Sequence, residues 1–392
     1  MSFIPNKEQA YGLEYAKKWF NTGFKQCFEI SGGAGTGKTT LVKYIIQELG
    51  LEEDEVVFVA YIGKASLALT RKGTPATTIH HLIYDAIDVI KKDEDGNVIK
   101  DSTTGRPLTI TKFVKKEQLS PRIKLIVCDE GAMVSEKIAR DLLSFDIPMI
   151  ILGDRNQLPP VMGAPMFLKR PDVLLKEPMR QALDSPIVFL AQKVIRGEFI
   201  KMGKYSDKVF VISKDMITDK MLLKSDIVIC HRNSTREELN NHVRHDILGI
   251  TQNYPCINEK MICRQNNWGT TISNDISLIN GLIGYVTKVD LESYNKQKIN
   301  INFRPEFMHD DEFKNIAIDY KYLNAPYSEK RSMSRSFYNK FEYAYAITCH
   351  LAQGSEYERV LVYNEEINNS ELYKKWLYTA ITRSSSSLIL AL

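Results

Sequence analysis

Cysteine is sparse in this 392-residue chain, with six residues scattered from Cys27 to Cys349 and no C-x-x-C pair, a pattern that speaks against zinc sites and a disulfide framework. Excess charge of one sign is missing too. Lys and Arg number 52 against 48 Asp and Glu, a net of +4, so a polyanion would have to be met by a local groove and not by the whole surface. No apolar run approaches the length that spans a bilayer, and Met1 to Asn6 lacks the apolar core of a secretory signal. A reducing cytoplasmic setting with no membrane partner is therefore expected. Internal repeats are absent, and the only low-complexity tract is Ser384 to Ser387. The three tryptophans, Trp19, Trp268 and Trp376, each stand among apolar neighbours and read as core.

What is present is 44% hydrophobic and 26% charged sequence, enough for two to four globular domains. Short apolar runs bounded by turn residues alternate with helical patterns. Glu55 to Ala60, Lys124 to Cys128 and Pro148 to Leu152 read as buried parallel strands, and a second set follows at Asp226 to Cys230, Arg359 to Tyr363 and Ser387 to Ala391. Two α/β domains are implied. From His81 to Pro121 the pattern changes to short alternating segments with turns at Asp95-Gly96-Asn97 and Thr104-Gly105-Arg106-Pro107, the mark of a small basic hairpin insertion. Between Tyr285 and Asn339, Lys298 to Phe303 and Asn315 to Tyr320 alternate at period two, which predicts a small β-domain inserted in the second α/β domain.

Gly32-Gly33-Ala34-Gly35-Thr36-Gly37-Lys38-Thr39 fits G-x-x-x-x-G-K-T, between a strand ending at Ile30 and a helical pattern of Leu41, Val42, Ile45, Ile46 and Leu49. Glycines let successive amides of Gly33, Ala34, Gly35, Thr36 and Gly37 point at phosphate oxygens, while Lys38 adds a charge at the β and γ positions. Thr39, with Thr40 beside it, opens the helix and offers a hydroxyl to Mg²⁺. Asp129-Glu130 closes the strand Leu125 to Cys128, at the carboxyl edge where parallel sheets bind ligands. Asp129 suits Mg²⁺, and Glu130 suits the attacking water. Gly153-Asp154-Arg155-Asn156-Gln157-Leu158-Pro159-Pro160-Val161 follows the next strand, and Gln157 there could report the γ-phosphate, its neutral amide bonding in either direction.

These segments together resemble the superfamily 1 DNA helicases of the 5′-to-3′ group, RecD-like and phage Dda-like. Tyr345 to Glu356 looks like that family's motif V and Leu377 to Arg383 like its motif VI, so the ordered series spans nearly the whole chain. The resemblance implies two RecA-like parallel-sheet P-loop domains. The first would comprise residues 1–81 and 119–185, with a hairpin insertion at 82–118 in the position of a strand-separating pin. The second would comprise 186–284 and 340–392, with an SH3-like β insertion at 285–339. It also implies ATP and Mg²⁺ as cofactors. Gln9 would read the adenine edge, Arg180 and Arg383 would reach the γ-phosphate, and Gly354 and Glu356 would lie at the nucleotide. An ordinary helix-start glutamine is the competing reading of Gln9, and a solvated face that of the hairpin lysines.

Nucleic-acid contacts carried over from the family fall on Tyr61, Gly63, Lys64, Thr77 and His80 in the first domain and Thr348, His350 and Gln353 in the second. The chain departs from the pattern at three places. Tyr61-Ile62 stands where Pro-Thr is usual, Ala132 replaces a serine, and Leu351-Ala352 replaces Lys-Ser. Tyr61 can stack a base instead. The function implied is an ATP-driven 5′-to-3′ motor on single-stranded DNA that unwinds duplex. The alternatives are a translocase that strips bound proteins without unwinding, or an ATP-gated loading factor; a nucleotide kinase would need an arginine-rich lid that is not found. Partners would be single-stranded DNA and its junctions with duplex, with single-strand-binding or replication proteins as further candidates. A monomer is expected, of viral source and acting in a host cytoplasm.

Overall fold

The computed structural model describes residues 4–61, 63–71, 73–90, 92, 95–99, 107, 109–159, 166–177, 184–272, 276–295, 297–330, 332–333 and 338–392. The chain divides into two compact units. The first comprises Met1–Gly32, Lys38–Gly153 and Met162–Leu175, and the second Gly33–Gly37, Asp154–Val161 and Lys176–Leu392.

In the first unit a six-stranded sheet runs in the spatial order Ala76–Thr78, Val56–Ala60, Leu125–Asp129, Met149–Gly153, Cys27–Gly32, Val173–Leu175, and every pairing is parallel. The inner strands are apolar on both faces because helices cover both. Strand alternation sorts their side chains: Leu125, Val127, Ile150 and Leu152 join Trp19, Phe28, Leu41 and Ile45 in one core. Ile126, Cys128, Met149 and Ile151 join Ile79, Ile138 and Leu142 in another. The helices Lys7–Thr22 and Lys38–Glu48 supply the first set, and Glu136–Leu143 the second.

The basic insertion is a two-stranded antiparallel hairpin, Tyr84–Ile90 against Thr109–Lys115. Its base is tied down by Tyr84, whose hydroxyl donates to Asp141 at 2.5 Å, and by Lys115, which reaches Ser144 Oγ at 2.8 Å. Much of the segment between the arms, including Lys91, Lys100 and Arg106, lies outside the described residues.

The second unit holds another six-stranded sheet, ordered Ala346–Thr348, Ile227–Cys230, Tyr357–Tyr363, Ser384–Ala391, Val209–Ile212, Gly203–Ser206. All pairings are parallel except the last. Helices Pro186–Arg196 and Ser370–Ile381 pack on it through Leu190, Val194, Trp376 and Ile381. A separate five-stranded antiparallel sheet runs Phe313–Asp319, Lys298–Pro305, Ile283–Asp290, Lys260–Cys263, Phe341–Tyr343. It draws two strands from outside residues 285–339, because Lys260–Cys263 and Phe341–Tyr343, fully apolar but for a cation and a carboxylate with partners, need its core. Lys260 pairs with Glu306 at 2.8 Å, and Arg236 with Glu342 at 2.8 Å. Trp19 and Trp376 are buried, whereas Trp268 is only half-buried on the short Asn267–Ile272 strand.

Candidate nucleotide and nucleic-acid site

The strand Cys27–Gly32 carries the chain to the phosphate-type loop, and the helix Lys38–Glu48 takes it away. Gly35 and Gly37 have φ of 73° and 79°, in the left-handed region that L side chains resist, so the tight turn needs glycine there. Lys38 Nζ folds back to donate to Gly32 O at 2.6 Å. Thr39 and Thr40 are exposed at the helix start. Loop and lysine together form an anion-binding turn at the carboxyl edge of a parallel sheet.

Two strands away, Asp129 ends Leu125–Asp129 half-buried, and its Oδ1 accepts from the Glu130 amide at 2.8 Å. Glu130 itself has φ 52°, a conformation that costs a non-glycine residue roughly 1–2 kcal/mol. The turn that follows is pressed against the sheet: a Cβ on Gly131 would overlap Ile151 Cγ2 and sit 3.2 Å from Leu152 O. The strained carboxylate is thus held where the sheet edge places it. Thr39 and Asp129 form a hard-oxygen donor pair that fits Mg²⁺, which takes one or two carboxylates and completes its shell with phosphate and water. Among the described residues no group of three or more His, Cys, Asp or Glu could hold a metal on its own.

Gln9 is fully buried. Its Oε1 accepts from Asn6 N at 3.1 Å while Asn6 Oδ1 accepts from Gln9 N at 2.8 Å, a capping box that starts the helix Lys7–Thr22.

In the second unit, Ala34, Asp154 and Leu158 bond to the helix Ser370–Ile381. The Ala34 amide donates to the Tyr378 hydroxyl at 3.2 Å, and that hydroxyl donates to Asp154 Oδ2. Thr36 Oγ1 donates to Gly33 O at 2.9 Å. Asp154 starts a turn that accepts from Asn156 N and returns as Gln157 N to Asp154 O. Leu158 is clamped from both sides: its amide donates to Thr379 Oγ1 at 2.9 Å and its carbonyl accepts from Gln353 Nε2 at 2.8 Å. Gln157 Oε1 is buried without a partner. An orphaned acceptor at this turn fits a water or, with the amide turned over, a phosphate oxygen.

Arg383 is 7% exposed and donates to Thr379 O and Ser355 O at 3.1 Å each and to Thr382 Oγ1 at 3.3 Å. Gly354 has φ 71°, and Glu356 is exposed. Arg180, with Pro160 and Val161, lies outside the described residues.

The residues matched to a nucleic-acid track separate in their exposure. Tyr61, Thr77 and His80 are half-buried; Thr77 Oγ1 lies 2.9 Å from His81 Nδ1, and Gly63 opens a helix to Arg71. Nothing is described of the Lys64 side chain. Thr348 is buried and caps the short helix Cys349–Ala352, on which His350 is half-buried. Burial pushes the His350 and His80 imidazoles below the usual histidine range, so both are neutral at pH 7. Gln353 is 1% exposed and its amide faces Leu158, so it ties motif V to the Asp154 turn.

Two rings left unassigned by the sequence, Tyr84 and Phe113, join the expected contacts Tyr61 and His80. The His80 ring sits 6.1 Å from Tyr61, 5.5 Å from Tyr84 and 5.9 Å from Phe113, and Phe113 is 43% exposed at the hairpin base. Lys112-Phe113-Val114 offered only strand alternation as a signal, which does not say which face is covered.

A parallel sheet with a glycine loop, lysine and acidic pair following its strands in the first half of the chain, and a second, mostly parallel sheet in the other unit, define a P-loop protein of RecA-like architecture. Family models agree with both parts: an AAA domain matches residues 21–163 and a UvrD-like helicase C-terminal domain matches 343–391. The chain is similar in sequence to superfamily 1 helicases. It is 24% identical to the ATP-dependent DNA helicase dda of Enterobacteria phage T4 over 90% of this chain and 92% of that protein. It is 23% identical to the ATP-dependent RecD2 DNA helicase of Deinococcus radiodurans over 91% of this chain and 45% of that one. The chain spans less than half the length of the first relatives it matches, RecD2 and an uncharacterized protein of Methanocaldococcus jannaschii. A crystal structure of Bacteroides Pif1 bound to single-stranded DNA shares the fold, with a TM-score of 0.53 at 17% identity, covering 100% of this chain and 93% of that one. No helix among the described residues is long and apolar enough to cross a membrane.

Proposed function

We propose that the chain hydrolyses ATP with Mg²⁺ and uses the energy to move 5′ to 3′ along single-stranded DNA, unwinding duplex ahead of it. The observation that carries this reading is the clamped Leu158. One turn bears the γ-phosphate sensor Gln157 and is bonded to motif V through Gln353 and to motif VI through Thr379, so nucleotide state and a strand-binding motif share a rigid link. Lys38 positions the β and γ phosphates and Glu130 takes the proton of the attacking water; Asp129 and Thr39 would hold Mg²⁺, which would supply neutralising charge at the phosphates. Arg383, with Arg180, supplies positive charge to the transition state, and Gln9 reads the base. The strand passes Tyr61, Thr77 and His80, whose neutral rings and hydroxyls grip it without reading sequence. The hairpin at 82–118 is the separating element, set in a first RecA-like domain of 1–81 and 119–185; a second, of 186–284 and 340–392, carries the β insertion.

Mg-ATP-dependent strand displacement on 5′-tailed and 3′-tailed duplexes tests this directly. Product from the 5′-tailed substrate alone is expected; release from the 3′-tailed one alone, or none from either, overturns it. ATP turnover stimulated by single-stranded DNA without any displacement assigns the protein-stripping translocase instead.

A further inference from the structure

The Tyr378 hydroxyl has one hydrogen and two lone pairs. The hydrogen goes to the Asp154 carboxylate, which can only accept, and a lone pair receives the Ala34 amide at 3.2 Å. The ring tip is also close enough to the loop that a Cβ on Gly33 would lie 3.0 Å from the hydroxyl. Tyr378 is 1% exposed, and burial first, then the Asp154 charge, pushes its phenol well above the ordinary tyrosine range, so it stays protonated at any working pH. An amide of the phosphate loop therefore already holds an oxygen acceptor supplied by the protein itself. The next residue, Thr379, holds the Gln157 turn through Leu158.

We propose that the Tyr378 hydroxyl stands in for a phosphate oxygen on the Ala34 amide and that an incoming nucleotide displaces it, which makes Tyr378 a positioning residue that reports loop occupancy to the Asp154 turn. The inference rests on the nucleotide-binding reading above. Giving up the Ala34 to Tyr378 bond opposes nucleotide binding, so a chain lacking the hydroxyl binds more tightly. A merely structural tyrosine has the opposite sign, because its loss loosens the loop and weakens binding.

The test uses the full chain and a ribose-labelled, non-hydrolysable ATP analogue, with binding read by fluorescence anisotropy. Tyr378→Phe keeps the ring and removes only the hydroxyl; its Kd is expected to fall roughly 3- to 10-fold, the size of one neutral hydrogen bond. Asp154→Asn leaves the tyrosine a weaker acceptor, since a hydroxyl donating to a carboxylate is the more polarised one, and a smaller shift of the same sign is expected. Amide hydrogen exchange gives a measurement free of nucleotide: exchange at Ala34 rises in ligand-free Tyr378→Phe and returns to the wild-type level with the analogue bound. Unchanged or weaker binding in Tyr378→Phe, or unaltered exchange at Ala34, overturns the inference while leaving the nucleotide reading intact. A wild-type chain that does not bind the analogue sinks both.

Discussion

The two six-stranded sheets share an architecture and differ in what they do with acid at a strand end. In the first unit Glu130 follows the strand Leu125–Asp129 in a left-handed conformation, half-buried. In the second, Glu365 lies two residues beyond Tyr357–Tyr363 and is 4% exposed. Its oxygens accept from His231 N at 2.5 Å, Arg232 N at 2.9 Å and Thr235 Oγ1 at 2.6 Å. Glu365 is a structural carboxylate that satisfies the amides leading into the helix Asn233–Asn241. Backbone strain therefore distinguishes Glu130 from Glu365, where placement near the end of a strand does not.

The largest way to break this comparison is Lys38→Ala, which is expected to remove ATP turnover while leaving single-stranded DNA affinity within about 2-fold by fluorescence anisotropy, because the lysine acts on phosphates. Retained hydrolysis removes the first sheet's edge from the chemistry. Arg383→Ala tests whether the second sheet contributes charge: single-turnover hydrolysis is expected to slow by about 10³-fold with nucleotide affinity little changed. If only thermal stability falls, the three bonds to Thr379, Ser355 and Thr382 are the whole of its role.

A paired substitution sharpens the contrast between the two acids. Glu130→Gln is expected to lower kcat by about 10²-fold or more with no loss in urea stability. Glu365→Gln is expected to cost about 2 kcal/mol in the same urea titration while the folded fraction keeps its turnover. Equal kinetic effects from both would show the distinction to be false. The smallest expected effect is at the hairpin: Phe113→Ala should weaken single-stranded DNA binding by about 10-fold, the scale of one lost base stack, with DNA-independent ATP turnover unchanged. Unaltered DNA affinity would mean that the exposed ring covers only its own hairpin.

Short motifs made the first sheet's edge legible, since the glycine loop and the Asp129-Glu130 pair are contiguous and their chemistry is local. The parallel strands were readable for a similar reason: buried on both faces, Leu125 to Cys128 and Met149 to Leu152 are continuous apolar runs. Short strands were harder. Gly203–Ser206 and Ala346–Thr348 are three or four residues long and carry no periodicity, and Lys260–Cys263 joins the antiparallel sheet from outside the alternating segment because its pairing partner, Ile283–Asp290, is some twenty residues away. Burial of Gln353 was equally hidden. A glutamine in a motif looks available until its partner, the carbonyl of Leu158 nearly two hundred residues earlier, is in place. Exposure of Phe113 depended on which hairpin face meets the helix Glu136–Leu143, a tertiary fact that period-two spacing cannot encode.

Gly131 fixes more than a turn. With no room there for even a methyl group beside Ile151, the distance between the acidic pair and the neighbouring strand is inherited from the sheet spacing itself, and mutational drift at this corner has nowhere to go. Any attempt to re-space these carboxylates by substitution would first have to recarve Ile151.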